Sequence, residues 1–127
     1  MSFHTPLVAR IAVPLLAIAV ASPANAAMTV GTFLTRANAL RDQGIGAMLS
    51  PDFQVLREEA RLAKNQLKAE NAARLAARKP ALACVPEGES IGIEEMLDGL
   101  AALPAADKRR PLKDGYGKVL AKRFPCR

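Results

Sequence analysis

Residues 51–79 restrict the fold of this chain most, because no glycine or second proline interrupts them before Pro80. Their start favours a helix: Ser50 caps the first turn, Pro51 fits into that turn, and Asp52 lies at the positive end of the helix dipole. At ~1.5 Å per residue, the helix would be about 43 Å long. The rest of the chain must therefore pack around one long helix.

The composition favours further helices over strands. Half of the residues are hydrophobic but only 4% are aromatic, and alanine, the best helix former, supplies much of the apolar fraction. We therefore predict an all-α fold, a small bundle of four to five helices with one long central helix. Apolar residues recur at helical spacing in four segments, and a short apolar connector joins the first two. These segments are residues 29–42, 51–79, 93–103 and 112–124, and the connector is residues 45–49.

The same spacing predicts which side chains are buried. In the long helix the predicted stripe is narrow, so a second copy of the chain could cover part of it as a homodimer, through Leu56, Leu67 and Leu75. The predicted core residues are Val30, Phe33, Leu34, Ala37 and Leu40; Leu56, Ala60, Ala63 and Leu67, widened by Val55 and Leu62; Ile93, Met96, Leu97, Leu100 and Leu103; and Leu112, Tyr116, Val119, Leu120 and Phe124.

Residues 1–26 are predicted to be a cleavable signal peptide. A weakly positive start with Arg10 precedes an apolar run of about 11 residues, and Ala24-Asn25-Ala26 supplies the small residues of a cleavage site. The run is shorter than the ~18–20 residues that span a bilayer, although a retained anchor or a buried helix is the alternative. We expect cleavage after Ala26, export to the periplasm, no transmembrane segment in the mature chain, and a single domain of residues 27–127.

The two cysteines, Cys84 and Cys126, both lie in the predicted mature chain. An even number of cysteines in an oxidising compartment favours a disulfide, here closing a loop of roughly 43 residues. The mature chain contains no histidine and no C-x-x-C motif, so a zinc site or a redox-active pair is not indicated. We predict a structural bridge.

The residues that most catalytic sites require are missing. Without histidine or a free cysteine, the mature chain has no Ser-His or Cys-His nucleophile. It has no glycine-rich phosphate loop, and adjacent helical carboxylates such as Glu94 and Glu95 point in different directions. The sequence therefore predicts a binding protein and not an enzyme, with no cofactor and no metal.

The charge balance is basic. Loss of residues 1–26, whose one charged side chain is Arg10, lowers the formal net charge from +6 to +5. An exported protein is not expected to bind nucleic acid, so the excess suits an anionic envelope component or an acidic protein surface. The simpler interpretation is that the charges solvate long helix faces. The basic face of the long helix comprises Arg57, Arg61, Lys64 and Lys68.

The C-terminal half resembles a known family. Cys84-Val85-Pro86-Glu87-Gly88 is followed by a helix with Met96-Leu97, a Leu103-Pro104 connector, and a last helix ending in Phe124-Pro125-Cys126. This frame resembles the Tai-type family of periplasmic immunity proteins, which inhibit type VI secretion amidase effectors. The resemblance covers about 43 of roughly 101 mature residues.

This resemblance implies a small helical protein, often dimeric, with its two cysteines paired. Such a protein blocks a peptidoglycan-cleaving amidase by covering the active-site groove. We expect the polar segments beside the bridge to contact the amidase; the alternative interpretation is that both are solvated loops. A non-catalytic adaptor that uses the basic face is the alternative function. The expected contact residues are Glu87, Gly88, Glu89 and Ser90 in one loop, and Lys108, Arg109 and Arg110 in a basic link.

Overall fold

The computed structural model describes residues 27–127, and the predicted signal peptide lies outside them. Within this range the chain forms five α-helices, one 3₁₀ helix and no strand. The predicted all-α bundle with one long helix is therefore confirmed. The helices are α1 (Val30–Asp42), the 3₁₀ turn (Gly44–Leu49), α2 (Pro51–Ala76), α3 (Ile93–Ala101), α4 (Ala105–Lys108) and α5 (Leu112–Arg123).

The central position, predicted for the long helix, belongs to α5, which contacts the other four α-helices. Its closest approach is at Gly115, where an added Cβ would lie 2.5 Å from Val30 of α1 and 2.9 Å from Leu100 of α3. Val30 and Leu100 are also the most deeply buried large side chains of the described residues. The absence of a side chain at Gly115 thus allows three helices to meet.

The ends of the helices follow local hydrogen bonding. Thr29 caps α1, because its hydroxyl accepts from the Thr32 N–H at 3.2 Å. Ser50 caps α2, as expected, through the Asp52 N–H at 3.3 Å. The segment before α5, predicted only as a polar link, contains a short helix, α4, with Pro104 at its start.

The long helix ends earlier than the sequence predicted. It was expected to reach Lys79, but α2 stops at Ala76 because Arg78 adopts a left-handed conformation with φ 58°. The Arg78 N–H donates to the Leu75 carbonyl at 3.0 Å, and the Lys79 N–H donates to the Arg74 carbonyl at 2.8 Å. These two bonds form a Schellman closure, in which glycine usually occupies the left-handed position.

Most of the predicted core is buried, but Ala60, Leu103 and Leu120 are only half-buried and three further residues are exposed. Val55 and Leu62 are 42% and 40% exposed, because they lie about 100° around the helix from the residues of the buried stripe. Ile93 is 79% exposed although it lies on the same face of α3 as Met96 and Leu97, because it is one turn closer to the start of the helix than the first core residue. These side chains contribute to the surface instead of the core.

The expected dimer surface is also largely covered by the chain itself. Leu56 and Leu67 are 6% and 4% exposed because they pack inside the bundle. A second copy can therefore reach only Leu75, which is 62% exposed, among the three leucines named for this contact.

The predicted disulfide is present and joins Cys84 to Cys126. Beside it, the Cys84 N–H donates to the Phe124 carbonyl at 3.0 Å, and the Phe124 ring is buried. The Asn71 side chain holds the preceding residues by accepting from the Leu82 N–H at 2.9 Å. The bridge thus fastens the end of α5 to the segment that connects α2 with α3.

We expect the Cys84→Ser/Cys126→Ser variant to lose ~4 kcal/mol of unfolding free energy, because the unfolded chain regains the entropy of an open loop. Urea unfolding of both proteins under oxidising conditions measures the difference. The wild-type chain in a reducing agent should match the variant. Equal midpoints for the oxidised wild type and the variant would contradict this role.

Candidate functional site

The loop that carries Glu87, Gly88, Glu89 and Ser90 is exposed along its whole length. The Glu89 N–H donates to the Pro86 carbonyl at 3.1 Å, which closes a tight turn. Gly88 adopts φ +81°, a conformation that side chains disfavour. Within residues 27–127, neither Glu87 nor Glu89 forms an ion pair. The loop therefore presents two unpaired carboxylates on a fixed turn.

The first turn of α3 places this loop at one end of the bundle. Glu94 pairs with Arg41 in the last turn of α1. Glu95 pairs with Arg123, the last residue of α5, at 3.1 Å. The ends of α1 and α5, the start of α3 and the loop of residues 84–92 therefore lie together, and we call this region the loop end.

The basic link Lys108, Arg109 and Arg110 lies at the opposite end. The Arg110 carbonyl accepts from the Val30 N–H at 3.0 Å, so the link adjoins the starts of α1 and α5. The 12 residues of α5 separate it from the bridge by about 18 Å at ~1.5 Å per residue. The expectation that both polar segments lie beside the bridge is therefore wrong, because α5 runs the length of the bundle between them.

The four residues of the basic face lie together on α2, as the sequence predicted. Arg57, Arg61, Lys64 and Lys68 are all exposed, and their spacing aligns them along one side of the helix. Arg61 hydrogen-bonds Glu58, which raises the pKa of Arg61 and lowers that of Glu58. The other three cations form no ion pair among the described residues.

Groups suited to metal binding or nucleophilic attack are scarce in the part of the chain that the structure describes. It contains no group of three or more His, Cys, Asp or Glu side chains that could hold a metal, and no free cysteine. Tyr116 is buried against Phe33, and its burial raises the pKa of the phenol. Among the helices of residues 27–127, none is both long enough and apolar enough to cross a membrane.

One feature of the surface was not anticipated from the sequence. The connector of residues 45–49 lies within the 3₁₀ turn and leaves Ile45 96% and Leu49 90% exposed. The sequence contains a signal for this exposure. Gly44 precedes these residues and Ser50-Pro51 follows them, so they belong to the buried stripe of neither neighbouring helix.

An ion pair fixes the helices on either side of this turn. The Arg36 Nε of α1 donates to Asp52 Oδ2 at 3.0 Å, and a second bond joins Arg36 Nη2 to Asp52 Oδ1. The hydrogen bonds lower the pKa of Asp52 and raise that of Arg36. This paired geometry holds the end of the turn against α1.

Comparison of the chain with models of known protein families, with curated proteins and with solved structures finds no match.

We expect the stabilising effect of Asp52 to disappear in acid. Because its pKa is lowered in the folded state, the unfolded carboxyl takes up a proton first as the pH falls below about 4. The difference in unfolding free energy between wild type and Asp52→Asn should be largest near neutral pH and shrink toward pH ~3. Urea unfolding across this range measures it. In an Arg36→Gln background, which removes the ion-pair partner of Asp52, the same Asp52→Asn change should show a flatter difference. A constant difference for Asp52→Asn would contradict the assignment.

Proposed function

We propose that the protein is a periplasmic immunity-type inhibitor, exported by residues 1–26, that binds and blocks a peptidoglycan amidase effector. The observation that carries the proposal is the anchored loop at the loop end. The segment that resembles the Tai-type frame begins at Cys84, which is bonded to Cys126 and hydrogen-bonded to the Phe124 carbonyl at 3.0 Å. From this anchor the residues 87–90 extend into solvent.

This arrangement suits inhibition by coverage, which requires a shaped surface and no catalytic group. A loop held by a covalent bond loses little conformational entropy when it binds, so more of the contact energy contributes to affinity. Glu87 and Glu89 have no ion-pair partner within residues 27–127. Their charges are therefore available to a cationic surface on the amidase, where they add specificity and a faster association rate.

A second function is favoured by a different observation. Three cations of the α2 basic face lack ion-pair partners in the described chain, so the face could hold an anionic envelope component or another protein as an adaptor. Such electrostatic binding weakens steeply with salt. Absence of binding to anionic polymers, or binding insensitive to salt, would exclude this alternative.

The proposal predicts that a neighbouring gene encodes a secreted amidase, and that enzyme is the partner used in the test. Purified chain 27–127 in molar excess should abolish peptidoglycan hydrolysis by that enzyme, and undiminished hydrolysis would contradict the proposal. The variant Glu89→Lys should raise the inhibition constant about tenfold or more, equivalent to ~1.4 kcal/mol, because it reverses a charge at the loop end. The matched control Arg109→Glu reverses an exposed charge at the opposite end and should change the constant less than about threefold. Equal losses in the two variants would place the enzyme elsewhere on the chain.

A further inference from the structure

Four large aliphatic side chains protrude from one end of the molecule. Ile45 is 96% exposed, Leu49 90%, Ile93 79% and Met48 69%. We call these four residues the apolar tip. Single exposed apolar residues are ordinary on protein surfaces, but a group of them marks an interaction site.

Two elements carry the apolar tip. The 3₁₀ turn that carries Ile45, Met48 and Leu49 follows the last turn of α1 directly. Ile93 precedes Glu94, whose carboxylate pairs with Arg41 in that same last turn. Both elements that carry the apolar tip therefore lie at the loop end, opposite the end of the bundle that carries the basic link.

The surrounding structure holds the 3₁₀ turn in place. Ala47 packs against the core, and its carbonyl accepts from the Ser50 N–H at 3.0 Å. Gly44, with φ +60°, allows the sharp change of direction after α1. The apolar side chains are thus held outward by a fixed backbone, which lowers the entropy cost of inserting them into a partner.

Three acidic side chains lie at the same end of the molecule as the apolar tip, although the chain as a whole carries +6. Glu94 and Asp98 share one cation, Arg41, and their side chains remain 75% and 78% exposed. Asp42, next in the chain, is exposed and forms no ion pair among residues 27–127. We call Asp42, Glu94 and Asp98 the acidic collar. It leaves a local excess of negative charge beside the apolar tip.

We propose that the apolar tip inserts into an apolar cleft of the partner protein whose rim carries lysine or arginine side chains. The inference rests on the proposed function and names the surface that meets the amidase. An apolar surface can bind a different protein, a second copy of the chain or a membrane, and the charge of the acidic collar favours the first. A second copy docked tip to tip would bring two acidic collars together, and an anionic membrane surface would repel the collar.

The test compares the double variant Ile45→Ser/Leu49→Ser with the wild-type chain. Both side chains are at least 90% exposed, so the variant should keep the wild-type unfolding midpoint. Calorimetric titration against the neighbouring-gene amidase should show the Kd raised by about 100-fold, because two apolar anchors are lost. The control Leu75→Ser removes a leucine that is 62% exposed on α2, away from the loop end, and should change the Kd less than about threefold.

The outcomes separate the inference from the function on which it rests. If the wild-type chain fails to inhibit the amidase, the proposed function is overturned and the inference falls with it. If the wild type inhibits and the tip variant binds equally well, the inference alone is overturned. Two further outcomes would also overturn the inference. If the wild type self-associates in sedimentation and the tip variant does not, the apolar tip binds a second copy. If the wild type binds phosphatidylglycerol vesicles and the tip variant does not, the apolar tip binds a membrane.

Discussion

The close approach of α5 to α1 and α3 at Gly115 determines much of the architecture. Val30 and Leu100 reach this point from two sides, and a methyl group there would overlap both. Because α5 is held at the centre, its end brings Cys126 within bonding distance of Cys84. The same packing sets α3 antiparallel beside α5, so that the first turn of α3 meets the ends of both α1 and α5.

The consequence for function is that the two ends of the bundle differ. One end carries the disulfide, the acidic loop, the apolar tip and the acidic collar, while the other carries the basic link. Apolar anchors surrounded by charged groups are the usual composition of an energetically important protein interface, in which a few buried side chains supply most of the affinity. The basic face of α2 is a separate surface with its own electrostatic character.

The sequence predicted the helices well because apolar spacing and capping residues act locally. It predicted the bridge because two cysteines in a chain with a predicted export signal have few other uses. It failed where the outcome depends on tertiary geometry. Helical spacing does not show how wide a stripe the bundle covers, so Val55, Leu62 and Ile93 were assigned to the core. The loop follows Cys84 in sequence and the basic link precedes α5. These sequence positions did not reveal that the two segments occupy opposite ends of that helix.

The central claim is that the packing of α5 against α1 and α3 requires a residue without a side chain at position 115. The unfolding free energy of Gly115→Ala tests it most directly. Alanine has the higher helix propensity by ~1 kcal/mol, so a helix without a tight contact would gain stability from this change. We predict instead a net loss of about 1–3 kcal/mol, from the overlap of the new methyl group with Val30 and Leu100. The control Gly46→Ala has no atom near its added methyl group and should not show this loss. A Gly115→Ala variant as stable as the wild type, or more stable, would contradict the account.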